Sequence, residues 1–264
     1  MLSASHENLH VVLNPADCNL DNIDEDDFVY CWSGARATVG ITGGKYCFGC
    51  QILVARPVYM EDIPVDQQRE FRVGISSVDD PVGNLGDTLR SFGYGVTGKF
   101  SNDGKFSDYG ERFGVSDVII CCMDLETKPL ASIAFYKNGK WLGVAKYFDV
   151  GNLSGSALFP HVLLKNMVVL LQFSREDGLI PVQGFKPSSC AIEDGIAVLG
   201  PTLSHEHDCE LTMLVGLPAS GKTTWAEKWV NEHPEKRYVL FGTNLALDQM
   251  KVSAFSICYN SFFD

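Results

Sequence analysis

The chain has 264 residues, 45% hydrophobic and 20% charged, a size and balance suited to one large or two small globular domains. Its formal net charge is −12, with 21 Lys/Arg against 33 Asp/Glu, so no overall field gathers nucleic acid. No apolar run approaches the ~20 residues that a membrane-spanning helix requires.

Residues 1–8 read as a polar lead-in, without the basic region and apolar block of a secretory signal. Strand character begins at residues 10–13, and residues 17–27, DCNLDNIDEDD, form an acidic, solvated loop. From Phe28 the chain reads as short strands punctuated by turns: FVYCW, ATVGI, KYCFGCQILV, FRVGISS, FGYGV, DVIICCMDL, SIAFYKNGKWLGVAKYF and ALFPHVLLKNMVVLLQF. Asn138-Gly139 lies between two apolar strands and is a strong hairpin signal, because both residues tolerate positive φ. Helical periodicity is nearly absent over residues 28–173, so a twisted β-sandwich is expected there.

Within this region Trp32, Arg36, Tyr94 and Lys99 fall in turn-rich stretches, where binding residues concentrate. They are the candidate partner-binding residues; the alternative is that Trp32 and Tyr94 pack in the core or under loops. Trp141, just after the hairpin turn, is expected in the core, and His161 is expected to be a hydrogen-bonded structural histidine. Cys47 and Cys50 make a lone C-x-x-C inside a strand. Without a second pair at ligand spacing they read as core cysteines rather than zinc ligands. The nine cysteines are odd in number and scattered, which suggests a reducing compartment.

Residues 176–209 read as a Pro- and Gly-containing linker, in which Leu179-Ile180, Phe185 and residues 196–199 are the pieces able to pack back on the sandwich. His205, His207, Asp208 and Cys209 read as solvated linker rather than a metal cluster. Residues 210–264 are different in kind. Leu211, Met213, Leu214 and Val215 suit a buried strand. Gly216, Leu217, Pro218, Ala219, Ser220, Gly221, Lys222 and Thr223 then fit the phosphate-binding pattern G-x-x-x-x-G-K-[ST], followed by Thr224. Glycines let successive backbone N–H groups turn inward at phosphate oxygens, and the following helix adds the positive end of its dipole. Lys222 would reach the β and γ phosphates of ATP, and the Thr223 hydroxyl would ligate Mg²⁺.

A helix is expected over residues 223–231, with Trp225 and Trp229 sharing a face buried against the strand. Pro234 would end it. Residues 237–241 read as a second strand, and ALDQMKV as the start of another helix.

SGARATVGITGGKYCFGCQI, FGYGVTGKFSNDGKFSDYGERF, FYKNGKWLGVA and ALFPHVLLKN resemble the SPRY domain. Followed by VGLPASGKTTW, they resemble more narrowly the heterogeneous nuclear ribonucleoprotein U-like family, over about residues 28–251. The resemblance implies a mainly β chain: a SPRY-type sandwich over residues 28–175, then a P-loop segment like that of polynucleotide kinases. It implies protein partners bound through SPRY loops, a nuclear location and a role in RNA processing. It also leaves open an ATP-binding, kinase-like protein. The family's DNA-binding N-terminal domain and Gly/Arg-rich tail have no counterpart in these residues. After residue 251, VSAFSICYNSFFD departs from the family pattern. Residues 209–264 are few for a doubly wound α/β domain, so weak or vestigial nucleotide binding without catalysis is the expectation.

Overall fold

The computed structural model describes residues 32–58, 63–64, 68–153, 155–200, 210, 212–233, 236 and 240. The chain divides into two units, Met1–Pro201 and Thr202–Asp264. The expected strand at 10–13, the acidic loop at 17–27, the histidines at 205 and 207, the helix from ALDQMKV and all but Leu240 of the strand at 237–241 lie outside the described residues.

Unit one is built of fourteen described strands. In chain order these begin with β1 (Ser33–Arg36), β2 (Val39–Ile41), β3 (Lys45–Ala55), β4 (Glu70–Ser77) and β5 (Ser91–Gly95). They continue with β6 (Lys99–Asn102), β7 (Lys105–Asp108), β8 (Val118–Asp124), β9 (Ala131–Lys137) and β10 (Lys140–Phe148). The last are β11 (Leu158–Lys165), β12 (Met167–Gln172), β13 (Lys186–Pro187) and β14 (Ala197–Leu199). One sheet runs β14-β2-β11-β4-β5-β6-β7, with β1 also on β11. The other runs β10-β9-β8-β3-β12, with β13 on β3. Every pairing is antiparallel except the short β13–β3 contact.

Period-two alternation explains why two sheets face each other. Phe48, Cys50 and Ile52 of β3, Phe71, Val73 and Ile75 of β4, and Ile119, Cys121 and Met123 of β8 all enter one buried cluster. Burying each large side chain contributes ~1.5–3 kcal/mol, so the inward set fixes the register. A one-residue slip would turn it to solvent. Asn138 and Gly139 join β9 to β10 with φ of 50° and 80°, the backbone that a two-residue hairpin turn demands.

Several expectations change. Residues 176–200 are part of the sandwich unit, not a free linker: β13 and β14 join the two sheets, and Leu179, Val182 and Ala191 are buried. Phe185 and Ile196 pack on the buried clusters, whereas Ile180, Val198 and Leu199 stay exposed. Trp141 is not core. It is 43% exposed on β10 and rests against Tyr136, with ring centroids 4.8 Å apart. In unit two, residues 212–217 are not a strand, and Met213, Leu214 and Val215 are exposed. The helix α1 spans Lys222–Glu232 and has no buried residue. Trp225 and Trp229 therefore stack on each other at 5.1 Å instead of covering a sheet, and Trp229 stacks on His233 at 4.0 Å.

Candidate functional site: a docking face and a phosphate loop

Register sorts the four candidate partner residues. On β11, His161 lies opposite Arg36 and Leu163 opposite Gly34, while Val162 and Leu164 point into the core. Arg36 and Trp32 therefore share the outer face of the β11 sheet. Phe100 of β6 points inward, so its neighbour Lys99, opposite Asp108, shares that outer face as well. Tyr94 is on the other face. It is fully buried among Tyr109, Phe113 and Phe135, and its hydroxyl donates to the Glu111 carbonyl. Tyr94 is thus a core residue, and its ring does not reach a partner.

Residues 78–90 lie across part of this outer face. The Arg36 guanidinium donates to the carbonyls of Ser77 at 2.6 Å, Asp80 at 2.7 Å and Val78 at 3.0 Å, and to Ser76 Oγ at 3.2 Å. Burial pulls its pKa down, against the attraction of Asp80 and Asp79. His161 is buried beneath the same loop: Nε2 donates to the Val82 carbonyl at 2.9 Å, and Nδ1 accepts from Ser76 Oγ at 2.8 Å. Glycine is required at position 34, because a Cβ there would come 1.8 Å from the Val82 carbonyl oxygen. Asn102 Nδ2 holds the far end of the loop through the carbonyls of Thr88, Leu89 and Ser91. Arg36 is therefore occupied in clamping a loop.

Beyond the loop the face carries an aromatic and cationic cluster. The Arg72 guanidinium lies 5.4 Å from the Trp32 ring centroid and 5.0 Å from that of Phe106, and Lys165 Nζ lies 5.6 Å from Trp32. Arg72 also donates to the Leu85 carbonyl at 3.1 Å and faces Asp87 at 3.8 Å. Burial lowers the pKa of Arg72 and of Lys165 and raises that of Asp87. Phe106 is 46% exposed on the edge strand β7. Reading the sequence for turns misses Arg72 and Phe106. The available signal was Arg72 itself, the one charge between inward-facing Phe71 and Val73.

Residues 216–221, the expected phosphate loop, lead into α1. Ala219 and Gly221 have φ of 61° and 84°, and a Cβ on Gly216 would press on Ser220 Oγ at 3.1 Å. Lys222 Nζ is folded into the loop, donating to the carbonyls of Gly216 at 2.8 Å and Leu217 at 2.7 Å. No side chain caps the N-terminus of α1, and its first turn holds no acid. The first-turn N–H groups and the dipole are left for an anion. These residues fit the phosphates of a nucleotide. Thr223 and Thr224 sit in the first helical turn, so the Thr223 hydroxyl is the group that would reach Mg²⁺. Among the described residues no three His, Cys, Asp or Glu side chains gather as a metal site. Cys47 and Cys50 enter different buried clusters, one on each face of β3, and do not converge on an ion.

The SPRY domain family matches residues 58–176, and an AAA domain family matches residues 211–256. Heterogeneous nuclear ribonucleoprotein U-like protein 2 of Homo sapiens is 37% identical over 230 residues, covering 86% of this chain and 30% of that protein. The ATP-dependent RNA helicase Ddx1 of Drosophila melanogaster is 37% identical over 147 residues, 55% of this chain and 18% of the helicase. The crystal structure of the SPRY domain of human HERC1 aligns with a TM-score of 0.41 and 20% identity, covering 54% of this chain and 82% of that one. The chain spans 30% or less of the length of these curated relatives. Its SPRY sandwich and the P-loop motif that follows lie inside one match over 86% of the chain, so the chain is homologous over that length to a heterogeneous nuclear ribonucleoprotein U-like protein.

Proposed function

We propose that this chain is an interaction protein of nuclear ribonucleoprotein assemblies. Its SPRY unit docks protein partners through the outer face around Trp32, Arg72, Lys99 and Phe106, and its P-loop unit holds the phosphates of ATP with Mg²⁺ at Thr223. The observation that carries the docking reading is the Trp32–Arg72–Phe106 arrangement on the outer face of the sheet. Tryptophan and arginine are the side chains that dominate interface energetics when a partner seals them from water. The acidic balance supports protein rather than nucleic acid as the direct contact, so RNA is reached through those partners. The relatives' names, a nuclear ribonucleoprotein and an RNA helicase, support the RNA setting. Purification of the tagged chain from nuclei, with and without nuclease, tests it. Ribonucleoprotein proteins should be retained after nuclease; their loss would make RNA the direct contact.

A second reading, an ATP-binding protein of polynucleotide-kinase type, is favoured by the preformed loop and the AAA match. Bound Mg²⁺ would neutralise phosphate charge; Lys222, the Gly216–Gly221 backbone and the uncapped helix would bind and orient the phosphates. Turnover of ATP by the purified chain, abolished by Lys222→Ala, would establish this second reading over the first.

A further inference from the structure

We propose that Cys47 and Cys122 are a cross-strand thiol pair that hydrogen peroxide converts to a disulfide beneath the 179–185 segment. The two residues are register partners on neighbouring central strands, β3 and β8. Antiparallel partners alternate between hydrogen-bonded and non-hydrogen-bonded pairs. Ile52 N donates to the Asp117 carbonyl at 3.0 Å, and Leu125 N donates to the Gly44 carbonyl at 2.9 Å. Counting inward from either end makes 46/123, 48/121 and 50/119 the bonded pairs, and Cys47/Cys122 a non-bonded one. In such a pair the side chains approach most closely, with Cα atoms ~4.5 Å apart, inside the ~4.4–6.8 Å window of disulfides. The two side chains lie together in one buried cluster on that face of the sheet.

The other buried cysteines do not share this geometry. Cys50 lies opposite Ile119 and Cys121 opposite Phe48, both on the inner face. Cys47 and Cys122 are on the outer face, with Ile120 and Ala134, and are covered by Leu179 and Val182 with Phe185 packed on the cluster. Among the described residues, the strand pairing between that cover and the sheet is the two-residue β13 on β3. Residues 179–185 are therefore what separates the two thiols from solvent.

The neighbouring Cys122 holds the Cys47 pKa below its ordinary value, whereas Cys47 and burial raise that of Cys122, so Cys47 is the attacking thiol. Cys47 sulfur attacks one peroxide oxygen; the O–O bond breaks, and hydroxide leaves as water with the thiol proton. The resulting sulfenic acid is then attacked by Cys122 sulfur; the S–O bond breaks and a second water leaves. Two thiols and one peroxide give one disulfide and two waters.

The test exposes the full chain to hydrogen peroxide, blocks remaining thiols, and digests without reductant for mass spectrometry. The expected product is the Cys47 peptide joined to the Cys122 peptide, lighter by two hydrogens and separated again by dithiothreitol. It should be absent from Cys47→Ser and Cys122→Ser, retained in Cys50→Ser and Cys121→Ser, and formed faster in Val182→Ala. The proposal is overturned if the half-exposed Cys190 oxidises while Cys47 and Cys122 stay thiols. It is equally overturned if the link survives in Cys47→Ser or Cys122→Ser.

Discussion

Lys222 and His161 show how much one side chain decides in this molecule. The Lys222 ammonium is held by two loop carbonyls, which phosphate oxygens would replace in the proposed nucleotide complex. A charge-assisted contact is worth about 1.5–3 kcal/mol, so Lys222→Ala should weaken Mg-ATP binding about ten- to a hundredfold. Calorimetric titration checks this; an unchanged affinity would mean that nucleotide does not use the loop. His161 governs a pH effect in the other unit. Burial pushes its pKa down to about 4 from an ordinary 6.5, and the Arg36 charge adds to this against the Val82 hydrogen bond. Between those values the unfolded chain binds a proton that the folded chain refuses, so stability is full above pH 6.5 and falls toward pH 4. At about 1.4 kcal/mol per unit the loss approaches ~3 kcal/mol. Urea unfolding at several pH values should show this slope, flattened in His161→Gln. The same two residues bear on legibility. The phosphate motif and the structural histidine could be read from local sequence. Tyr94 could not be separated from Lys99 without the register, since both sit in the same Gly-rich stretch and only the pairing decides which face each takes.

At the scale of elements, the strands of residues 33–172 were legible because alternation and turn residues repeat every few positions, as at Asn138-Gly139. The segment 176–200 was not, because it contributes isolated apolar side chains rather than a pattern. Leu179, Val182 and Ala191 each fill a separate place, and prolines and glycines between them give the look of a linker. A fragment of residues 28–175 should therefore be less stable than one of residues 28–200, because it leaves Cys47, Ile120 and Cys122 uncovered. Losing two or three buried aliphatic side chains costs on the order of 3–6 kcal/mol. Thermal melts of the two fragments, both dominated by β signal in circular dichroism, check this; equal melting temperatures would mean that the segment packs without contributing. Trp225 and Trp229 depart from a buried face for a different reason. Spacing of i and i+4 puts two rings on one face but does not say what covers it, and here they cover each other.

At the scale of the whole chain, the docking face is the part on which the proposed function rests. Trp32, Lys99 and Phe106 lie outside the buried apolar cluster, whereas Arg36 clamps a loop and Tyr94 fills the interior. The direct measurement compares wild type with the Trp32→Ala, Lys99→Ala, Phe106→Ala variant, shown to be folded by its melting temperature. Both are used to capture proteins from nuclease-treated nuclear extract, quantified by mass spectrometry. Ribonucleoprotein components enriched on the wild type and reduced at least about tenfold on the variant are predicted, as expected for removing interface anchors worth ~1.4 kcal/mol or more. Equal capture of the same proteins by both, or no ribonucleoprotein component on either, would contradict the account.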